Sequence, residues 1–270
     1  MSNYQIKFYK YQGTGNDFIM IDNREEVFNT QNTNLIQKMC DRRFGIGGDG
    51  LILLQQHTTF DFEMLYFNAD GSKGSMCGNG GRCIVAFAQF LGIIKQKTQF
   101  LAVDGVHEAF IKNGLVDLKM GKVTTVEEGR GFYYMDTGSP HYVQFVDKIA
   151  NINIVAAGRK IRYSERFKAV GTNVNFVEIK NNGIEVATYE RGVEDETLSC
   201  GTGVTAAAIA YFIEMKLDKK ILLPIFTKGG NLSLRFEKKD NNFVNIWLIG
   251  KGEMTFTGEF NLKLINNLQK

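Results

Sequence analysis

Two stretches decide the fold: Cys77–Leu91, CGNGGRCIVAFAQFL, and Cys200–Ile213, CGTGVTAAAIAYFI. In each, a Cys-Gly-Xaa-Gly turn opens a run, Cys83–Leu91 and Val204–Ile213, that is apolar almost all the way round. A helix without a polar face is buried on every side. In a strand-rich chain its partner is a curled sheet wrapped around it, and two such helices predict two such units. The surrounding sequence supplies the strands. Lys7–Tyr11, Phe18–Asp22, Leu51–Gln55 and Phe62–Phe67 have β-branched and aromatic character, and Asn113-Gly114 between two apolar runs marks a hairpin. A further helix is predicted through Leu35, Ile36, Met39 and Cys40, behind the cap candidates Asn32 and Thr33 and ended by Gly45.

Internal repetition points to a duplicated domain. Gly13–Ile19 (GTGNDFI) resembles Gly171–Val177 (GTNVNFV), 158 residues on, while the two cysteine motifs lie 123 residues apart. On that pairing the first half carries 35 extra residues between its landmarks. The expected fold class is α/β (α+β): two pseudo-symmetric domains, each a curled mixed sheet around a central buried helix, with the active site in the cleft between them. The halves are expected at 1–122, containing Cys77 and completed by 257–270, and at 123–256, containing Cys200.

Composition removes several function classes. The 270 residues are 44% hydrophobic and 23% charged, which excludes a disordered chain. The near-balanced charge, +3, implies no nucleic-acid-binding stripe. No apolar run reaches the ~18 residues of a membrane span, and the N-terminus has no signal-peptide pattern. The expected compartment is a reducing cytoplasm, where the four cysteines are thiols.

Cys77 and Cys200 both fall at helix N-termini, where unpaired N–H groups and the positive end of the dipole favour a thiolate and attract an anion such as a carboxylate. One such cysteine reads equally well as a small core residue; two at matched positions of a repeat do not. Cys40 and Cys83, on apolar helix faces, read as core. Zinc is disfavoured because Cys77 and Cys83 are six apart and His57, His107 and His141 are scattered. A Cys–His hydrolase with His141 as base would leave the second cysteine without a role. The glycine-rich Gly45–Gly50 follows a helix instead of opening one, so it reads as a turn and not a dinucleotide site. Two thiols facing each other suit inversion at a stereogenic carbon: one removes the proton, the other delivers one to the opposite face.

At these residues the sequence resembles the diaminopimelate epimerases. The resemblance rests on Gly13–Phe18 (GTGNDF), Asn68–Ser72 (NADGS), Cys77–Cys83 (CGNGGRC), Ser139-Pro140-His141, Asn173, Glu190-Arg191-Gly192 and Glu196–Gly203 (ETLSCGTG). It implies an isomerase of amino-acid, lysine and cell-wall precursor synthesis that interconverts LL- and meso-diaminopimelate without a cofactor. Carried over by position, Cys200 is the base toward the LL isomer and Cys77 the acid. Gly78, Asn79, Gly201 and Thr202 hold the reacting carboxylate through backbone amides. Asn16, Asn68, Asn173, Glu190 and Arg191 bind the distal amino-acid head, and His141 and Glu190 tune the thiols or anchor substrate. The partners expected are this small-molecule substrate and a second copy of the chain as a homodimer, with no nucleic acid, membrane or metal. Three positions depart from the family pattern. Gly50 stands where some relatives have glutamine, Ser139 where asparagine is frequent, and Val193-Glu194-Asp195 adds one residue before Cys200. Racemases of proline or hydroxyproline share the cysteine pair but have no use for a distal head site, and a non-catalytic amino-acid-binding protein has no use for the thiols.

Overall fold

The computed structural model describes residues 5–218 and 220–262. In chain order the elements are β1 (Gln5–Gly13), β2 (Asn16–Asp22), α1 (Thr33–Cys40), β3 (Gly50–Gln55), β4 (Phe62–Asn68), α2 (Gly78–Phe90), β5 (Lys97–Ala102), β6 (Gly105–Lys112), β7 (Leu115–Lys119) and β8 (Val126–Gly129). There follow β9 (Phe132–Asp136), β10 (Pro140–Phe145), α3 (Ile154–Arg162), β11 (Asn173–Lys180), β12 (Gly183–Glu190), β13 (Asp195–Thr197), α4 (Gly201–Glu214), β14 (Ile221–Thr227), β15 (Gly230–Lys239), β16 (Asn242–Lys251) and β17 (Glu253–Asn261). No helix among the described residues is long and apolar enough to cross a membrane.

The chain divides into two compact units, 1–116 with 251–270, and 117–250. The division falls a few residues earlier than the sequence places it, because β7 pairs with β16 of the second unit and Met120 N donates to Ile246 O at 2.9 Å. Of the C-terminal segment 257–270, residues 257–261 lie in β17 against β1; 263–270 lie outside the described residues.

In the first unit the strands run β17, β1, β2, β3, β4, β5, β6. The pairings from β1 onward are antiparallel, parallel, antiparallel, parallel, antiparallel. In the second, β9, β10, β11, β12, β14, β15 repeat the same alternation. Each parallel pair is joined by a helix, as parallel neighbours require: α1 and α2 in one unit, α3 and α4 in the other. α2 packs on β1, β2 and β3, and α4 on β10, β11 and β12. The second core closes around α4 with Val177, Ile184, Ile225, Leu234, Phe236 and Leu248, all fully buried. The opposite sheet faces are covered by α1 over Ile19, Ile21, Leu51 and Leu53, and by α3 over Val174, Phe176 and Tyr189. Strands covered on both faces read as unbroken apolar runs, as Leu51–Leu54 does.

This topology corrects the internal alignment. Gly13–Gly15 is the β1–β2 turn, whereas Gly171 leads into β11, the counterpart of β3. Counterpart strands and helices lie at one nearly constant offset. Asn16 and Pro140 are 124 apart, Gly50 and Asn173 123, and Lys97 and Ile221 124, matching the 123 between the cysteines. The first half has no 35-residue excess; the GT-N likeness joined two non-equivalent turns. The true partner of α1, the helix α3, has no signal in that alignment and was not anticipated.

Two local readings also change. α1 ends at Cys40, because Asp41 turns extended (φ −61, ψ 125) and its carboxylate accepts from Arg43 N and Phe44 N, both at 2.7 Å. Gly45 is required for a different reason: a Cβ there would lie 2.0 Å from Lys38 O. The inner helices start earlier than their apolar runs, directly after the cysteines, so the glycine turns are their first turns. A Cβ on Gly203 would lie 2.5 Å from Asn175 Oδ1, and one on Gly80 3.0 Å from Ile52 Cδ1. Glycine there lets the helix start seat against the sheet. Asn113 (φ 52) and Gly114 (φ 76) form the expected turn with both residues at positive φ.

Candidate active site

The four helices begin in two ways. α1 and α3 are capped by side chains, Asn32 Oδ1 accepting from Leu35 N and Asn153 Oδ1 from Ala156 N. α2 and α4 take Cys77 and Cys200 as N-cap residues, and neither sulfur makes a cap hydrogen bond. Cys40 and Cys83 differ again: both are buried, and burial pushes each thiol up to about 12, so both are inert at neutral pH.

In the first unit Cys77 Sγ donates to Asn16 Oδ1 at 3.6 Å. The other end of that amide, Nδ2, donates to Asp49 Oδ2 at 2.5 Å. A carboxylate only accepts, so Asp49 fixes the Asn16 carbonyl toward the sulfur. Asp49 belongs to a network with Arg42 and Asp17, and Asp17 also pairs with Lys10 at 2.7 Å. Burial alone would raise Asp17, but Arg42 and Lys10 outweigh it and hold the carboxyl at about 2. Asn79, almost fully buried, reaches Asn16 Oδ1 with Nδ2 at 3.4 Å, and its Oδ1 accepts from Arg82 Nη2 at 3.0 Å and Thr14 Oγ1 at 3.2 Å.

Arg82 itself is wholly buried. It also donates to Gly78 O at 3.3 Å, Thr14 Oγ1 at 2.9 Å and Lys251 O at 3.2 Å, and among the described residues it makes no ion pair. Burial lowers its pKa from the ordinary value, while Cys83 and Cys77 act to raise it. Asn68, at the end of β4, is turned to Ser72 Oγ at 3.1 Å. At Gly50 a Cβ would lie 2.4 Å from Phe67 O and 2.5 Å from the Tyr66 ring, so a longer side chain has no room there.

In the second unit Cys200 Sγ lies 3.4 Å from Thr202 Oγ1, which lies 2.9 Å from His141 Nε2. Ser139 Oγ is 3.0 Å from the same Nε2 and 3.3 Å from Thr202 Oγ1. His141 is fully buried; desolvation drives its pKa down to about 3, and the nearby Arg191 charge adds to this. At that value the imidazole is a poor proton acceptor. Asn173 Nδ2 donates to Ser139 Oγ at 3.0 Å, and its Oδ1 accepts from Arg191 N at 2.8 Å. Arg191 Nη1 donates to Val170 O at 3.0 Å; the rest of its fork makes no protein hydrogen bond among the described residues. Burial raises the half-buried carboxyl of Glu190. Within Val193–Asp195, Glu194 turns at positive φ (59), and its carboxylate accepts from Tyr189 Oη at 2.9 Å.

The first unit thus brings together Asn16, Cys77, Gly78 and Asn79, and the second brings together His141, Asn173, Arg191, Cys200, Gly201 and Thr202. Sequence reasoning assigned no role to Arg82, Thr14 or Asn175, and it named Ser139 only as a departure from the family pattern. The signal for Arg82 was its place, five residues after the cysteine in an otherwise apolar helix; for Asn175 it was a polar residue inside a buried strand.

The model of the diaminopimelate epimerase family matches residues 8–126 and 133–256. The diaminopimelate epimerase of Flavobacterium psychrophilum is 52% identical over 253 residues, covering 93% of this chain and 98% of its own. That of Aquifex aeolicus is 36% identical over 96% of this chain and 99% of its own. Among solved structures, a phenazine biosynthesis protein of the PhzF family from Bacillus anthracis aligns with a TM-score of 0.76 at 12% identity, over 95% of this chain and 99% of its own. A hydroxyproline epimerase from Agrobacterium vitis aligns with a TM-score of 0.67 at 12% identity, over 96% and 93%. These two likenesses speak to fold alone. On its sequence relatives and the two matched cysteine motifs, the chain belongs to the diaminopimelate epimerase family.

Proposed function

We propose that this chain inverts one α-carbon of diaminopimelate, LL to meso, with Cys77 and Cys200 as the acid and base. The observation that carries the reading is the matched placement of two thiols, each at the start of the inner helix of a unit with the same topology, in a member of this family. The Cys200 thiolate takes the α-proton, and the carbon's electron pair is left beside the carboxylate. Cys77 then delivers its proton to the opposite face. Cys200 ends as thiol and Cys77 as thiolate, and proton exchange with water resets the pair. The contact from Cys77 Sγ to the Asn16 carbonyl favours a protonated Cys77, in keeping with its role as acid.

The reacting carboxylate is assigned to the first-turn amides of Gly78, Asn79, Gly201 and Thr202, where N–H groups and helix dipoles stabilise developing charge. Asn16, Asn68, Asn173, Glu190 and Arg191 are assigned to the distal head. A cytoplasmic location and a homodimer belong to the same reading.

In deuterated water, LL substrate should give meso product carrying deuterium at the inverted carbon, with little label in recovered LL substrate at low conversion. The second α-carbon should stay unlabelled. Binding without exchange, read by mass spectrometry, overturns the epimerase reading; largely unlabelled early product overturns the two-thiol mechanism alone. At the distal end, Arg191→Lys keeps the charge but loses the planar fork. With one edge of the guanidinium spent on Val170 O, the loss should be about 2 kcal/mol in kcat/KM, as for a charge-assisted hydrogen bond. Unchanged efficiency with diaminopimelate would take Arg191 out of the site.

A further inference from the structure

Asn175 lies fully buried in β11 beneath the start of α4. Its Nδ2 sits 3.0 Å from Tyr142 O and 3.0 Å from His141 Nδ1. A backbone carbonyl only accepts, so the amide end, not the oxygen, faces both groups. Thr188 Oγ1, 2.9 Å from Asn175 Oδ1, completes the same orientation. His141 Nδ1 is therefore an acceptor, and in the neutral ring the proton resides on Nε2.

The direction of the remaining contacts follows. Asn173 Oδ1 is held by the Arg191 amide, so its Nδ2 donates to Ser139 Oγ. The Nε2–H of His141 has two hydroxyl oxygens within reach, Thr202 Oγ1 at 2.9 Å and Ser139 Oγ at 3.0 Å. Ser139 Oγ already accepts from Asn173 Nδ2, which also lies 3.3 Å from Nε2, so the shorter, unoccupied acceptor, Thr202 Oγ1, takes the ring proton. Thr202 thus receives, and its own hydrogen is left for Cys200 Sγ. Arg191 is the charged group that acts on His141, and its charge opposes protonation of the ring. Position 205 of α4, five residues after its cysteine, is a neutral threonine bonded to Gly201 O at 2.9 Å, where α2 has Arg82 bonded to Gly78 O. α4 carries no buried cation of that kind, and the hydrogen bond from Thr202 is one that can support Cys200 as an anion.

We propose that Asn175 is a positioning residue: it locks His141 as the Nε2–H tautomer, His141 orients Thr202, and the Thr202 hydroxyl donates to Cys200, presetting that sulfur as the proton acceptor. The proposal deepens the epimerase reading and rests on it for the purpose of the relay, but its readouts need no turnover.

In two-bond ¹H–¹⁵N spectra His141, assigned by loss of its signals in His141→Gln, should show a protonated Nε2 and an unprotonated Nδ1. Asn175→Leu should let the Nδ1–H form appear and raise the midpoint of the pH profile for Cys200 alkylation, followed by peptide mass spectrometry. The rise expected for one lost hydrogen bond to a charged group is about one pH unit, a tenfold loss of thiolate below the midpoint. Thr202→Val should raise the Cys200 midpoint equally while leaving the tautomer unchanged, the double variant should add nothing, and the Cys77 midpoint should stay put. Thr202→Val keeps the test available if Asn175→Leu does not fold. A native Nδ1–H tautomer, or a Cys200 midpoint unmoved by Thr202→Val, overturns the relay. Absent epimerisation with these readouts intact overturns the epimerase reading and leaves the relay standing.

Discussion

Cys77→Ala and Cys200→Ala should each lower epimerisation by roughly 10²–10⁴-fold, the range for one positioned acid or base. The argument is stereochemical. Inversion needs a proton removed on one face and supplied on the other, and no other thiol can substitute, since Cys40 and Cys83 are buried in apolar packing with thiols held near 12. His141 cannot substitute either, as a buried imidazole near 3. Cys40→Ala and Cys83→Ala should cost about 1–2 kcal/mol of stability through packing and leave kcat close to normal. Paired measurements of kcat and urea midpoint separate the two classes. Near-normal turnover in either of the first two variants would remove the two-thiol reading.

The largest effect on stability is expected at Arg82. Replacing it by methionine fills much of the volume but removes one donated hydrogen bond each from Gly78 O, Asn79 Oδ1, Thr14 Oγ1 and Lys251 O. Thr14 can still donate to Asn79, so not every acceptor is stranded. Among the described residues Arg82 has no carboxylate partner, so the cost is that of the four lost hydrogen bonds: about 3 kcal/mol, at roughly 0.5–1 kcal/mol each. Thr205→Val, at the equivalent position of α4, removes a single bond to Gly201 O and should cost about 1 kcal/mol. Urea unfolding of the two variants gives the comparison. Equal costs would mean that the four bonds of Arg82 are worth no more than the single bond of Thr205.

Much of this was legible in the sequence because the strongest signals were hydrophobic. Two apolar helices without a polar face announced the inner layer, and the strands placed on β1 to β4 were found by their aromatic and β-branched content. The cysteine motifs located the starts of both helices. What failed was reasoning from short glycine motifs. GTGND and GTNVN look alike because both segments turn sharply before an asparagine, yet they lead into non-equivalent strands. The helix α3 hid because its amphipathic face is short, with only Ile154 and Gly158 buried. Gly158 carries no hydrophobic signal; its role is steric, since a Cβ there would meet Tyr189 Cβ at 2.4 Å. Asn175 and Arg82 were passed over for the converse reason. In a buried strand or helix a lone polar residue reads as noise until its partners, which come from distant strands, are known.

The return of β17 to β1 has a consequence for biosynthesis. The second unit is a continuous segment, 117–250, while the first is interrupted by it and receives a strand only after residue 251. β1 pairs with that strand along most of its length, from Gln5 against Asn261 to Gln12 against Glu253. On the ribosome, then, the half translated first is the half completed last. The later-made unit can close its sheet while β1 still presents an open edge, a template for mispairing until the strand that covers it emerges.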